Sequence, residues 1–139
     1  MAAMFKNYFS KDNESRVVKS KVIEIGELST FDDEPVIILF NDTAPIGLRE
    51  VCIIHEFEET PPKDFLKKGS KMIFNGKEYT IEKIGHVANE TFYDLGHISL
   101  YFDYDEVSEV LPGSAFLSPK EKPILKEGDN IEFITWQFF

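Results

Sequence analysis

Lys71-Met72-Ile73-Phe74-Asn75-Gly76-Lys77-Glu78-Tyr79-Thr80-Ile81 reads as a β-hairpin, because Asn-Gly between two alternating runs suits a two-residue type I′ turn, whose central positions both need positive φ. Outward from it the chain continues as short runs rich in Val, Ile and Phe, separated by Gly, Pro, Asn and Asp clusters. Strands are expected at about 17–25, 36–41, 51–57, 70–74, 77–87, 97–102, 114–117 and 130–138. The predicted class is all-β, a small closed or partly closed β-barrel with bulged strands and at most one short helix. Two slips of phase carry the barrel expectation. Tyr79 and Ile81 share one face while Ile84 falls on the other, and Ile131 and Phe133 are out of step with Ile134, Trp136 and Phe138. Bulges produce such slips and bend strands round a closed sheet. The one expected helix, of two turns at most, lies over 61–69, where Thr60 would cap it, Pro61 and Pro62 suit its first turn and Gly69 its exit.

With 139 residues, 42% hydrophobic and 14% aromatic with thirteen phenylalanines, the chain has material for one self-sufficient core. Residues 5–15 are mostly polar with three aromatics, and 1–15 are expected to form a loosely ordered leader, with a single domain over 16–139. The formal net charge of -10 repels phosphate backbones and anionic lipid surfaces, so nucleic acid is excluded as a partner and a basic protein is favoured. One cysteine, Cys52, allows no intramolecular disulfide, and no run of about 18 apolar residues offers a membrane span. A secretory signal pattern is not seen at the start, and the expected location is the cytoplasm, without direct membrane insertion.

The chemistry centres on Val51-Cys52-Ile53-Ile54-His55-Glu56-Phe57-Glu58. Strand alternation sends Val51, Ile53, His55 and Phe57 one way and Cys52, Ile54, Glu56 and Glu58 the other. His55 interrupts an apolar row where the strand leaves the core, which suits an imidazole at an apolar rim with one nitrogen reachable. The pattern alone leaves open a core histidine satisfied by backbone groups. The three histidines, His55, His86 and His97, lack metal-ligand spacing, so no metal site is expected, and Cys52 reads as a core residue. No Gly-rich phosphate loop, Ser-His-Asp order or paired-carboxylate motif supports a hydrolase or a nucleotide-dependent enzyme, and no cofactor is expected.

Glu50-Val51-Cys52-Ile53-Ile54-His55 resembles the phosphorylation-site strand of the glucitol/sorbitol-specific IIA family of bacterial phosphotransferase systems, whose hydrophobic run ends in Phe/Ile-Ile-His. Downstream, Asp94-Leu95-Gly96-His97-Ile98-Ser99-Leu100-Tyr101-Phe102-Asp103 is similar to the family's Leu-Gly-His-Ile-Thr-Leu-x-Phe-Asp segment. Ile84-Gly85-His86-Val87-Ala88 and Leu111-Pro112-Gly113-Ser114 resemble two further family turns, so the likeness covers about residues 17–117. The resemblance implies a phosphocarrier, formally a phosphotransferase component, that accepts a phosphoryl group from HPr on His55. It would pass that group to the IIB component of a sorbitol transporter (IIB/IIC). A regulatory binding module of the same fold, without phosphoryl turnover, is the alternative. Some family members place a second histidine two residues after the first; here that position is Phe57, which removes a two-histidine relay.

Around His55, Ile53 and Phe57 are expected to form a water-excluding rim that meets the partner. Glu56, Glu58 and Glu59 would form an acidic border steering a basic patch on HPr, or simply a solvated strand end. His97 is expected either to assist the phosphoryl group at His55 or to serve a structural role, while His86 reads as structural.

Overall fold

The structure, a computed structural model, describes residues 13–29 and 34–138, with side chains described over 15–29 and 34–136. Eight strands form it: β1 (Asn13–Ile25), β2 (Val36–Phe40), β3 (Ile53–Phe57), β4 (Lys71–Phe74), β5 (Lys77–Ile84), β6 (Ile98–Tyr101), β7 (Ser114–Ser118) and β8 (Asn130–Phe138). They close into a barrel in the order β1-β3-β2-β6-β7-β5-β4-β8. β2 lies parallel to β3 and β6 parallel to β7, and the other neighbours are antiparallel. Closure leaves no free sheet edge, which suits strands this short. The all-β, closed-barrel expectation is met.

The hairpin forms as expected: Asn75 and Gly76 take φ 49° and 93°, and Phe74 pairs with Lys77. One of the two phase slips is found. β5 shifts register against β7 between Ile81 and Lys83, so the strand bends there and Ile84 changes face. The slip expected in β8 is absent. Its pairing with β1 runs unbroken from Asn130 to Phe138, and Thr135, not Ile134 or Trp136, takes the inward position after Phe133. Thr135 is 3% exposed and its hydroxyl meets the Ser70 hydroxyl at 2.9 Å, so a hydrogen-bonded polar residue occupies an inward slot that a purely apolar reading skips. The second bulge lies instead in β1, between Val22 and Glu24 opposite β3.

The segment 61–69 is not helical. Asp64 and Gly69 take positive φ (56° and 92°), and the Leu66 backbone is held on both sides by Asn89, whose amide donates to Leu66 O while its oxygen accepts from Leu66 N–H. That clamp replaces helical hydrogen bonding and seats Phe65 and Leu66 in the core. Two short helices are present among the described residues, one more than expected: α1 (Ile46–Arg49) and α2 (Ala88–Leu95). α1 lies in the crossover between the parallel strands β2 and β3. α2 buries Ala88 and Phe92 and ends at Gly96, which takes the left-handed conformation (φ 59°, ψ 20°) and bonds its N–H to Phe92 O.

Residues 1–12 of the expected leader lie outside the described residues, and 13–15 already pair with 136–138 in β1 and β8. The barrel interior holds the main core, including Val22, Leu39, Ile53, Met72, Ile81 and Phe133. A smaller cluster of Phe40, Ala44, Cys52 and Ile54 packs between the other face of β2 and β3 and their crossover. The alternation holds within β3, with Ile53 and Phe57 packed in one cluster and Ile54 in the other beside Cys52. It fails at Val51, which lies in the turn before the strand, bonds its N–H to Leu48 O and packs with Cys52 and Ile54 instead of sharing the face of Ile53.

Candidate functional site

β3 carries His55 into the barrel interior, where two polar groups meet its ring. The first is Ser20 on β1, whose inward row Val18-x-Ser20-x-Val22 is buried. Ser20 sits opposite Phe57 in the β1–β3 pairing and its Oγ lies 2.9 Å from His55 Nδ1. The second is the carbonyl of Gly96, at the C-terminus of α2, 2.7 Å from His55 Nε2. A carbonyl only accepts, so Nε2 carries the hydrogen and donates it to Gly96 O. Nδ1 then holds the lone pair and accepts from the Ser20 hydroxyl. Both orientation and tautomer of the imidazole are thereby set.

Aromatic rings complete the enclosure. Phe57 meets the imidazole edge-on at 4.9 Å between centroids and Phe133 lies at 6.1 Å, while Phe92 of α2 packs against both (5.1 and 4.9 Å). His55 is 0% exposed, and this burial, opposed only in part by the Gly96 carbonyl, lowers its pKa to about 4. At neutral pH the ring is uncharged, the state a nitrogen nucleophile needs.

The rim expected around His55 is thus a lid. The expected reachable nitrogen is covered, because the α2–β6 corner folds over the strand end and puts the Gly96 carbonyl on Nε2. Glycine suits that corner: its φ is positive, and a Cβ there would lie 3.1 Å from Asn41 Cβ and 3.2 Å from His55 Nε2, tighter than ordinary contact. Asn41 closes the same corner by donating its N–H to Leu95 O at 2.9 Å.

The other expected site residues divide by strand parity. Ile53 is 3% exposed and belongs to the core, so in this arrangement it offers no face to a partner. Phe57 is half-buried between the His55 and Phe92 rings and shields the imidazole more than it presents a rim. Glu56 and Glu58 are exposed, with Glu56 opposite Lys21 across the β1–β3 pair. His97 follows Gly96 directly, but its ring turns elsewhere: Nδ1–H donates to Leu39 O at 3.0 Å and the ring packs on Phe40 at 4.8 Å. No hydrogen bond joins the two imidazoles among the described residues. His86 is exposed, on a polar surface hollow with Asp64, Glu90 and Asp94. Cys52 is a free, buried cysteine whose thiol pKa burial raises. No group of three or more His, Cys, Asp or Glu side chains suited to a metal occurs among the described residues.

Sequence reasoning missed Ser20, Gly96 and Phe92 as parts of this site. The signal for Ser20 was present: it is a polar residue interrupting an inward apolar row, the same signature that drew attention to His55. Nothing in the pattern of the 88–96 segment foretold that its carbonyl end would cap an imidazole 41 residues earlier in the chain.

Fold and site together define a class, a small closed β-barrel built round one tautomer-locked, neutral imidazole beneath a helix C-terminus. The chain belongs to the family of PTS system glucitol/sorbitol-specific IIA components, whose family model matches residues 17–132. It is 26% identical over 118 residues to the glucitol/sorbitol-specific EIIA component of Shigella flexneri, covering 84% of this chain and 94% of that protein. It is 28% identical over 100 residues to the corresponding component of Escherichia coli K12, covering 72% and 79%. The crystal structure of a PTS system IIA component from Enterococcus faecalis V583 superposes with a TM-score of 0.78 at 28% identity, covering 84% of this chain and 99% of that one. Family membership gives the chain a phosphocarrier role in a sugar phosphotransferase system. No helix among the described residues is long and apolar enough to cross a membrane.

Proposed function

We propose that His55 is the phosphoacceptor of this carrier, taking a phosphoryl group from HPr and passing it to the IIB component of a sorbitol transporter. The observation that carries the reading is the state of the His55 ring: neutral, fixed in direction, and enclosed by Phe57, Phe92 and Phe133, which keep water from a labile phosphoramidate. Transfer is then a matter of positioning two nitrogens in line about one phosphorus.

The closed lid gives the reaction its order. Ser20 lies deep in the β1–β3 sheet and is 1% exposed, whereas the group over Nε2 belongs to a helix end bordered by the exposed residues Asp94 and Leu95. Access by displacement of the Gly96 carbonyl disturbs less packing than access through Ser20, so Nε2 is the nitrogen that reacts. Docking of HPr lifts the α2–β6 corner, solvent takes the hydrogen from Nε2 and returns one to Nδ1, and the freed Nε2 lone pair attacks phosphorus. Glu56 and Glu58, on an acidic chain, attract a basic donor surface and raise the encounter rate. The carrier works in the cytoplasm, where its donor is charged from phosphoenolpyruvate, and IIB together with IIC completes the route to the sugar.

A second reading, a regulatory binding module without turnover, is favoured by one observation: both His55 nitrogens are hydrogen-bonded and the ring is fully buried. The relay assay separates the two. Incubation with enzyme I, HPr and phosphoenolpyruvate is expected to add one acid-labile phosphoryl group, which IIB then removes. An unmodified chain, with HPr shown active on another acceptor, refutes the carrier reading in favour of the binding module.

A further inference from the structure

We propose that Ser20 is the positioning residue of phosphoryl transfer, holding His55 through both of its tautomers, an inference that rests on His55 being the acceptor. The two groups on the ring differ in kind. Gly96 O can only accept, so it supports the resting tautomer with hydrogen on Nε2 and has no favourable contact once Nε2 is the nucleophile. The Ser20 hydroxyl both donates and accepts, and it lies 2.9 Å from Nδ1. At rest it donates to the Nδ1 lone pair. When the corner opens, solvent takes the hydrogen from Nε2 and returns one to Nδ1, so the ring stays neutral with a single hydrogen, and the hydroxyl turns about its Cβ–Oγ bond and accepts from Nδ1–H.

The step balances. The Nε2 lone pair forms the new N–P bond as the donor's P–N bond breaks, and that electron pair stays on the donor's nitrogen. His55 leaves the step with phosphoryl on Nε2 and hydrogen on Nδ1. Such a ring, buried at this depth, has a donor that must be satisfied, and Ser20 is the hydroxyl bonded to that nitrogen. Phe57 and Phe133, the aromatic rings packed on the imidazole, offer no conventional acceptor.

Ser20 is tied to β1, whose pairing with β3 and β8 holds its backbone on both sides. It therefore stays in place when the Gly96 corner moves. One fixed contact and one removable contact let the ring open on a single side without losing its direction, which is what in-line attack needs.

The test is single-turnover acceptance from phosphorylated HPr by the full chain and its Ser20→Ala, Ser20→Val and Ser20→Thr variants. Leaving Nδ1–H without an acceptor is expected to slow Ser20→Ala and Ser20→Val about tenfold, with Ser20→Thr within about threefold of wild type. Thr and Val have nearly the same volume, so packing damage slows both alike, while loss of the hydroxyl slows only Val. Equal rates for Thr and Val, or a wild-type rate for Ser20→Ala, overturn the Ser20 role and leave His55 as acceptor. Nitrogen-15 shifts of wild-type His55 provide a check that needs no variant. Hydrogen on Nε2 before transfer and on Nδ1 after it is the expected result, and hydrogen remaining on Nε2 overturns the proposal. A wild type that accepts nothing from a donor active elsewhere overturns the carrier reading and this inference together.

Discussion

Acidification should destabilise the protein through His55 in a defined window. The unfolded imidazole titrates near 6.5, whereas burial in the aromatic pocket lowers the folded value to about 4. Above the unfolded pKa the ring is neutral in both states and titration contributes nothing. As pH falls from 6.5 towards 4 the unfolded chain binds a proton that the folded chain refuses, so stability is lost progressively. The full loss is about 3 kcal/mol once pH passes below the folded value, and about 2 kcal/mol is already gone at pH 5. With a urea slope near 2 kcal/mol per molar, the midpoint should drop by about 1 M between pH 7 and pH 5. Carboxylates also titrate towards the acid end, and a parallel His55→Gln series removes their share, because its pH dependence lacks only the imidazole. The assay is equilibrium urea unfolding of both proteins at pH 7, 6 and 5, followed by intrinsic fluorescence. Parallel pH dependences would refute the burial argument, because an imidazole open to water has the same pKa folded and unfolded.

Three further substitutions probe the structure round the site. Gly96→Ala forces a Cβ at positive φ into contact with Asn41 and His55 Nε2, and should cost about 1–2 kcal/mol by urea unfolding; an unchanged midpoint would show that the corner has room. Phe92→Ala empties the space between Phe57 and Phe133 and should cost about 3–5 kcal/mol. A loss under about 1 kcal/mol would mean that α2 does not seal the barrel end. Thr135→Val keeps the shape but removes the hydrogen bond to Ser70, and should cost about 1 kcal/mol; a stability gain would place the inward phase of β8 elsewhere.

Local chemistry made the barrel legible wherever it allowed a single answer. Asn75-Gly76 admits one kind of turn, and the phase change after Ile81 is the bulge it implied. Inward polar residues were harder: the pattern passed over Thr135 in β8 for Ile134 and Trp136, and Ser20 in β1 drew no reading; the two are satisfied by partners 65 and 35 residues away, and no local periodicity encodes such pairings. The 61–69 segment failed for a similar reason, since its prolines and Gly69 do suit a helix but Asn89 of α2 captures the Leu66 backbone. His55 was legible as a polar residue in an apolar row. Its closure was not, because the covering carbonyl belongs to a helix that forms only through the burial of Ala88 and Phe92.

The acceptor assignment is tested most directly by intact-mass analysis after incubation with enzyme I, HPr and phosphoenolpyruvate, comparing wild type with His55→Ala and His97→Ala. His97 is the informative control, because its Nδ1–H is committed to Leu39 O and it stands one residue beyond the corner that covers His55. The predicted result is one acid-labile phosphoryl group on wild type and on His97→Ala, and none on a folded His55→Ala. A phosphoryl group that persists in His55→Ala and disappears in His97→Ala would contradict the account and move the acceptor to the outer histidine.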